Sequence, residues 1–247
     1  MKHKLAVLTA LLALLPLTAC GGGGGGTTIT VLAASSLTGT FTELGKEFES
    51  QHPGVTVKFA FDSSATLAQQ AVDGAPADVL ATADTTTMDS AKTAQAEAPQ
   101  VFATNVMVLA MPASNPAHVT SFADLDKSSV KYVVCVATAP CGAVAQALLT
   151  QDHISGSPVS TEVDVKSVLA RLTEGEADAG IVYTTDAIAA GDQVTHLPIP
   201  GAARQITTYP IVTLTQSTQS TLAQQFVDMV TGSTGQQVLA KAGFGKP

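Results

Sequence analysis

The chain has 247 residues, 45% hydrophobic and only 13% charged, with 12 basic against 20 acidic side chains and no tryptophan. That length suits one large domain or two small ones. An acidic chain without any Lys/Arg cluster excludes nucleic acid and anionic membrane as direct binding surfaces, because both need a basic field.

The N-terminus reads as an export leader. Lys2 and Lys4 form a basic start, residues 5–17 an apolar stretch, and Leu17-Thr18-Ala19-Cys20 closes it with small residues. The segment over residues 1–19 is too short and wrongly flanked for a membrane-spanning helix. Leu17-Thr18-Ala19-Cys20 resembles a bacterial lipobox, which implies cleavage before Cys20 and lipidation of that thiol. Residues 20–27 are then a lipidated cysteine and a flexible glycine tether. Loss of Lys2 and Lys4 leaves 10 basic against 20 acidic side chains.

In the stretch Ile29-Thr30-Val31-Leu32-Ala33-Ala34-Ser35-Ser36-Leu37, an apolar β-branched run stops at two serines. A helical spacing (Leu37, Phe41, Leu44, Phe48) begins at once, so a buried strand delivers a helix start with Ser36 as N-cap. First-turn N–H groups have no internal partner and carry the positive end of the helix dipole, so a serine beside them makes an uncharged anion cradle. One such junction usually does no more than cap its helix. Here it has an echo: Val55, Val57, Phe59 and Phe61 alternate along a second strand, which ends at Asp62-Ser63-Ser64 before a helix to Gly74. Two adjacent parallel strands would bring both serine pairs to the carboxyl edge of one sheet, where open α/β sheets bind ligands.

Residues 77–81 form a short strand and 85–96 a helix after Asp84. The apolar run 101–111 exceeds a typical strand, as expected of a segment leaving one lobe for another. A brief helix over 121–125, a strand over 131–137 and a helix opened by Pro140 follow. With Cys20 lipidated, Cys135 and Cys141 remain in an oxidising compartment, either as a disulfide joining a strand end to a helix start or as two buried thiols. Residues 164–174 are helical, 179–183 a strand, 184–190 a helix stopped at Gly191, and 194–199 a strand. A second long run, 206–215, is the candidate return hinge, and helices over 218–230 and 235–242 close the chain. The pattern is α/β with a double crossover, bending near 105–107 and 208–210.

A secreted serine hydrolase is the rival from another class. A nucleophilic serine needs a base within reach, yet His52, His118, His153 and His196 all fall away from the expected edge, and no Gly-x-Ser-x-Gly elbow is present. Metal-ligand spacings and phosphate-cradling glycine loops are also missing. A binding protein, not an enzyme, is the better reading.

Five motifs in order carry a family resemblance: residues 29–37, Ser-Ser-Ala-Thr-Leu at 63–67, Gly-Ala-Pro-Ala-Asp-Val at 74–79, Pro-Cys-Gly at 140–142, and Gly-Ile-Val-Tyr-Thr-Thr-Asp-Ala at 180–187. From about Thr28 to Phe244 the chain resembles the molybdate-binding lipoproteins of bacterial ABC uptake systems. The resemblance implies a type II periplasmic-binding-protein fold, with residues 28–106 and 209–247 in one lobe and 107–208 in the other. It implies capture of molybdate or tungstate by Ser36 and Ser64 (hydroxyl and N–H), the N–H groups of Cys141 and Val165, and the Tyr183 hydroxyl. Molybdenum would arrive as an oxyanion, with no bare metal and no cofactor. The implied partners are an ABC permease and ATPase, for a monomer anchored through Cys20 and facing the periplasm or cell exterior. A receptor for another oxyanion such as sulfate is the alternative. Asp62 is expected to point outward, since a carboxylate in the pocket would repel a dianion. Donors without acceptors suit unprotonated dianions, whereas the retained proton of phosphate would go unpaired at a cost of ~1–3 kcal/mol. Sulfate must be excluded by cavity size.

Overall fold

The computed structural model describes residues 26–247; the leader, Cys20 and residues 21–25 of the tether lie outside the described residues. Among the described residues no helix is long and apolar enough to cross a membrane. The chain opens with β1 (Thr27–Ala34), one 3₁₀ turn (Ser35–Leu37) and α1 (Thr38–Gln51). Then come β2 (Val55–Asp62), α2 (Ser64–Val72), β3 (Val79–Ala81) and α3 (Thr85–Ser90). β4 (Gln100–Asn105) and β5 (Met107–Pro112) are separated by Val106 alone. A second series runs β6 (Tyr132–Cys135), α4 (Pro140–Gln151), β7 (Ser160–Glu162), α5 (Val165–Thr173), β8 (Ala179–Tyr183), α6 (Thr184–Ala190) and β9 (Val194–Pro198). β10 (Thr207–Thr213), α7 (Ser220–Thr231) and α8 (Ser233–Lys241) complete the chain.

Two five-stranded sheets result, ordered β2-β1-β3-β10-β4 and β7-β6-β8-β5-β9. β1 pairs in parallel with β2 from Thr27 opposite Val55 to Ala34 opposite Asp62, so both strands finish at one edge. That register places the two serine pairs side by side, as the alternation of apolar residues suggests. In each sheet the fourth strand in the order is antiparallel to both its neighbours: β10 against β3 and β4, β5 against β8 and β9.

The first sheet is covered on two faces. Leu37, Phe41, Phe48 and Phe226 pack on one, and Leu67, Ala71 and Met88 on the other. The second sheet has its own core of Leu109, Val133, Leu148, Val168, Ile181 and their neighbours. Apolar burial of this kind contributes on the order of 25 cal/mol per Å² and fixes each sheet as a rigid platform.

The run over 101–111 passes from the first sheet to the second at the expected bend near 105–107, as two strands with Val106 between them, and the Asn105 side-chain oxygen accepts the Val106 N–H at 3.0 Å. Other sequence expectations need correction. β10 lies wholly in the first sheet, so the chain returns through residues 199–206, ahead of a bend at 208–210. The helix expected over 85–96 ends at Ser90 and continues only as a 3₁₀ turn, Lys92–Ala94. β7, made of Ser-Thr-Glu, has no apolar run to announce it.

Candidate functional site

Where the carboxyl edges of the two sheets meet, a small cavity of about 10 Å³ is lined by Ala34, Ser35, Ser36, Asp62, Ser63, Ser64 and Ala83 from one side. From the other side come Ala139, Pro140, Cys141, Asp164, Val165 and Tyr183. All five residues predicted as ligands therefore border one space. None of the lining residues is basic, and none is a histidine. The titratable groups of the lining are the carboxyls of Asp62 and Asp164 and the Tyr183 phenol.

Ser36 arrives differently from expectation. It is the middle residue of the 3₁₀ turn, and α1 starts two residues later without a side-chain cap. The tighter turn leaves the Ser36 hydroxyl free of capping duty, and its Oγ instead lies 3.0 Å from the Tyr209 hydroxyl. Ser64 is the first residue of α2, and its Oγ accepts the Ala83 N–H at 2.9 Å.

On the opposite side Pro140 supplies the first helical position of α4, where its missing N–H costs nothing. Cys141 follows and is bonded to Cys135, with Cα atoms 5.8 Å apart. Gly142 allows this approach: a Cβ there would stand 1.9 Å from the Val136 carbonyl oxygen. The Cys141 N–H, which has no partner within the helix, is held at the cavity by strand and bridge together. Val165 opens α5 behind Asp164, whose carboxylate accepts the Ser167 N–H at 2.8 Å.

Tyr183 ends β8 and is 1% exposed, yet its hydroxyl has no hydrogen-bond partner among the described residues. Burial pushes the phenol well above the usual tyrosine range, so it stays a neutral donor. An unpaired buried hydroxyl costs ~1–3 kcal/mol, which an anion in the cavity would recover. The Tyr183 N–H donates to Asp186 Oδ2 at 3.3 Å, and Lys166 Nζ lies 2.8 Å from Asp186 Oδ1 as an ion pair. Burial raises the Asp186 carboxyl, and Lys166 opposes that shift. The pair ties the start of α5 to the first turn of α6.

β2 runs on through Asp62, which is among the lining residues, and its Oδ1 accepts the Ser63 N–H at 2.6 Å. An N–H at a helix entry is a natural seat for a carboxylate. Sequence reasoning missed Asp164, Tyr209 and Asn105. Asp164 has a local signal, an Asp just before an apolar helical pattern; the other two reach the site only through the fold.

The chain is similar to known proteins along most of its length. The Mycobacterium tuberculosis molybdate-binding protein ModA is 43% identical over 221 residues, covering 89% of this chain and 85% of that protein. The periplasmic molybdate-binding protein of Azotobacter vinelandii shares the fold, with a TM-score of 0.79 at 21% identity over 89% of this chain and 99% of that one. So does the sulfate-binding protein SubI of M. tuberculosis, with a TM-score of 0.76 at 18% identity over 88% and 86% of the two chains. The family model for bacterial extracellular solute-binding protein matches residues 29–245. By that match and the 43% relative, the chain belongs to the bacterial extracellular solute-binding proteins, which are binders and not enzymes.

Proposed function

We propose that the protein captures molybdate, and also tungstate, outside the cytoplasm and hands it to an ABC importer. The observation that carries this reading is the ring of uncharged donors: the hydroxyls of Ser36, Ser64 and Tyr183 and the first-turn N–H groups of Cys141 and Val165 border one cavity with no basic side chain. Donors on fixed backbone stabilise a dianion without reorganising, and at short range they outweigh a screened net negative charge. Its 43% relative is named for molybdate binding, which agrees.

The ligand is cargo, and no resident cofactor is invoked. The two sheets act as lobes that close on the anion, bending where β4 passes to β5 and where residues 199–206 return. A lipid on Cys20 and the glycine tether keep a monomeric receptor near its permease and ATPase. Asp62 and Asp164 each have one oxygen on a helix-entry N–H, which limits their use as acceptors for a protonated ligand.

Calorimetric titration with molybdate, tungstate, sulfate and phosphate tests the proposal. Tight binding of molybdate and tungstate with weak sulfate and weaker phosphate is expected. Preference for sulfate would replace the ligand, and absence of heat with all four would remove the oxyanion reading.

A further inference from the structure

Behind Ser36 lies a hydrogen-bonded chain that fixes the direction of its proton. Tyr209 is fully buried in β10, and either its hydroxyl or that of Ser36 could donate across their 3.0 Å contact. Asn105 decides which. Its side-chain oxygen accepts the Val106 N–H at 3.0 Å, so its amide nitrogen must face Thr185 Oγ1 at 2.8 Å and Tyr209 Oη at 3.5 Å. The Tyr209 oxygen therefore receives an N–H, and its own proton needs an acceptor. The rings of Phe102, Tyr183 and Phe244 pack around it. Ser36 Oγ, at 3.0 Å, is the acceptor within hydrogen-bond distance of the Tyr209 hydroxyl among the described residues. An unpaired phenolic proton at such depth would be costly, so the arrangement is strongly directed.

We propose that Tyr209, oriented by Asn105, is a positioning residue: by donating to Ser36 Oγ it commits the Ser36 proton to the cavity. Ser64 is committed in the same way by the Ala83 N–H on its Oγ. The inference rests on the oxyanion reading. It also links the two sheets, since Asn105 ends β4 while Thr185 belongs to α6.

A double-mutant cycle tests it, with molybdate titrated into wild type, Tyr209→Phe, Ser36→Ala and the double variant. Tyr209→Phe keeps the ring and its packing, and a thermal melt checks that each variant is folded. Tyr209→Phe should weaken wild-type binding about tenfold, the scale of one misdirected hydrogen bond to a charged acceptor, and should cause no further loss when Ser36 is already alanine. Equal losses in both backgrounds would show that Tyr209 acts through the fold alone and overturn the proposal, as would no loss in the wild-type background. A wild type that binds no oxyanion would instead defeat the functional reading and this inference with it.

Discussion

The two sheets solve the same problem by different chemistry. β1 and β6, β2 and β7, and β3 and β8 hold equivalent places in their sheets, and each sheet brings two helix entries to the cavity. Even their braces match: Asp78 Oδ2 accepts the Thr30 N–H at 2.7 Å, and Asp178 Oδ2 accepts the Lys131 N–H at 2.8 Å. Yet under the proposed reading the first sheet adds the hydroxyls of Ser36 and Ser64 to its main-chain N–H groups, while the second relies on main-chain N–H groups at Cys141 and Val165, helped by one phenol. Side-chain donors are easily changed by substitution. Main-chain donors are fixed by the path of the chain, and there the sequence invests in Pro140, Gly142 and a disulfide instead.

The contrast predicts where binding is fragile. In the double variant Ser36→Ala/Ser64→Ala, titration should show a loss of about 2–6 kcal/mol, the sum of two donors to a charged acceptor. Val165→Ala, made in the second sheet, should leave affinity nearly unchanged; a comparable loss there would break the distinction. Tyr183→Phe should cost ~1–3 kcal/mol in the same measurement. Because burial raises this phenol, its proton is lost only above the ordinary tyrosine range. Affinity should therefore stay level as pH rises from 7 to about 9, and a decline there would mark an unexpectedly acidic donor.

Cys135→Ser/Cys141→Ser should lower stability by about 2 kcal/mol for so short a loop, read from denaturant unfolding. It should weaken binding less than loss of either serine, since the N–H itself remains. The smallest expected effect is a gain. Asp62→Asn removes a negative charge from the cavity lining and should tighten dianion binding a few-fold at low salt, by Coulomb interaction at an effective dielectric of about 20 or above. No change on titration would mean that Asp62 is screened by its hydrogen bond to Ser63.

Much of this was legible because the signals are local. Paired serines after β-branched runs, Pro140 before a helical pattern, and Asp164 before Val165 mark helix entries without knowledge of the fold. What lay hidden depends on distance along the chain. Tyr209 is 173 positions from Ser36 and Asn105 is 80 from Thr185, so no window of sequence joins them. For Asp62 the sequence suggested only repulsion from a ligand, and the hold of the adjacent Ser63 N–H on its Oδ1 came from the fold.

The Cys135–Cys141 bond gives the receptor a sense of place. Thiols stay reduced in the cytosol and pair only beyond it, so a newly made chain still inside the cell carries a less firmly braced second sheet.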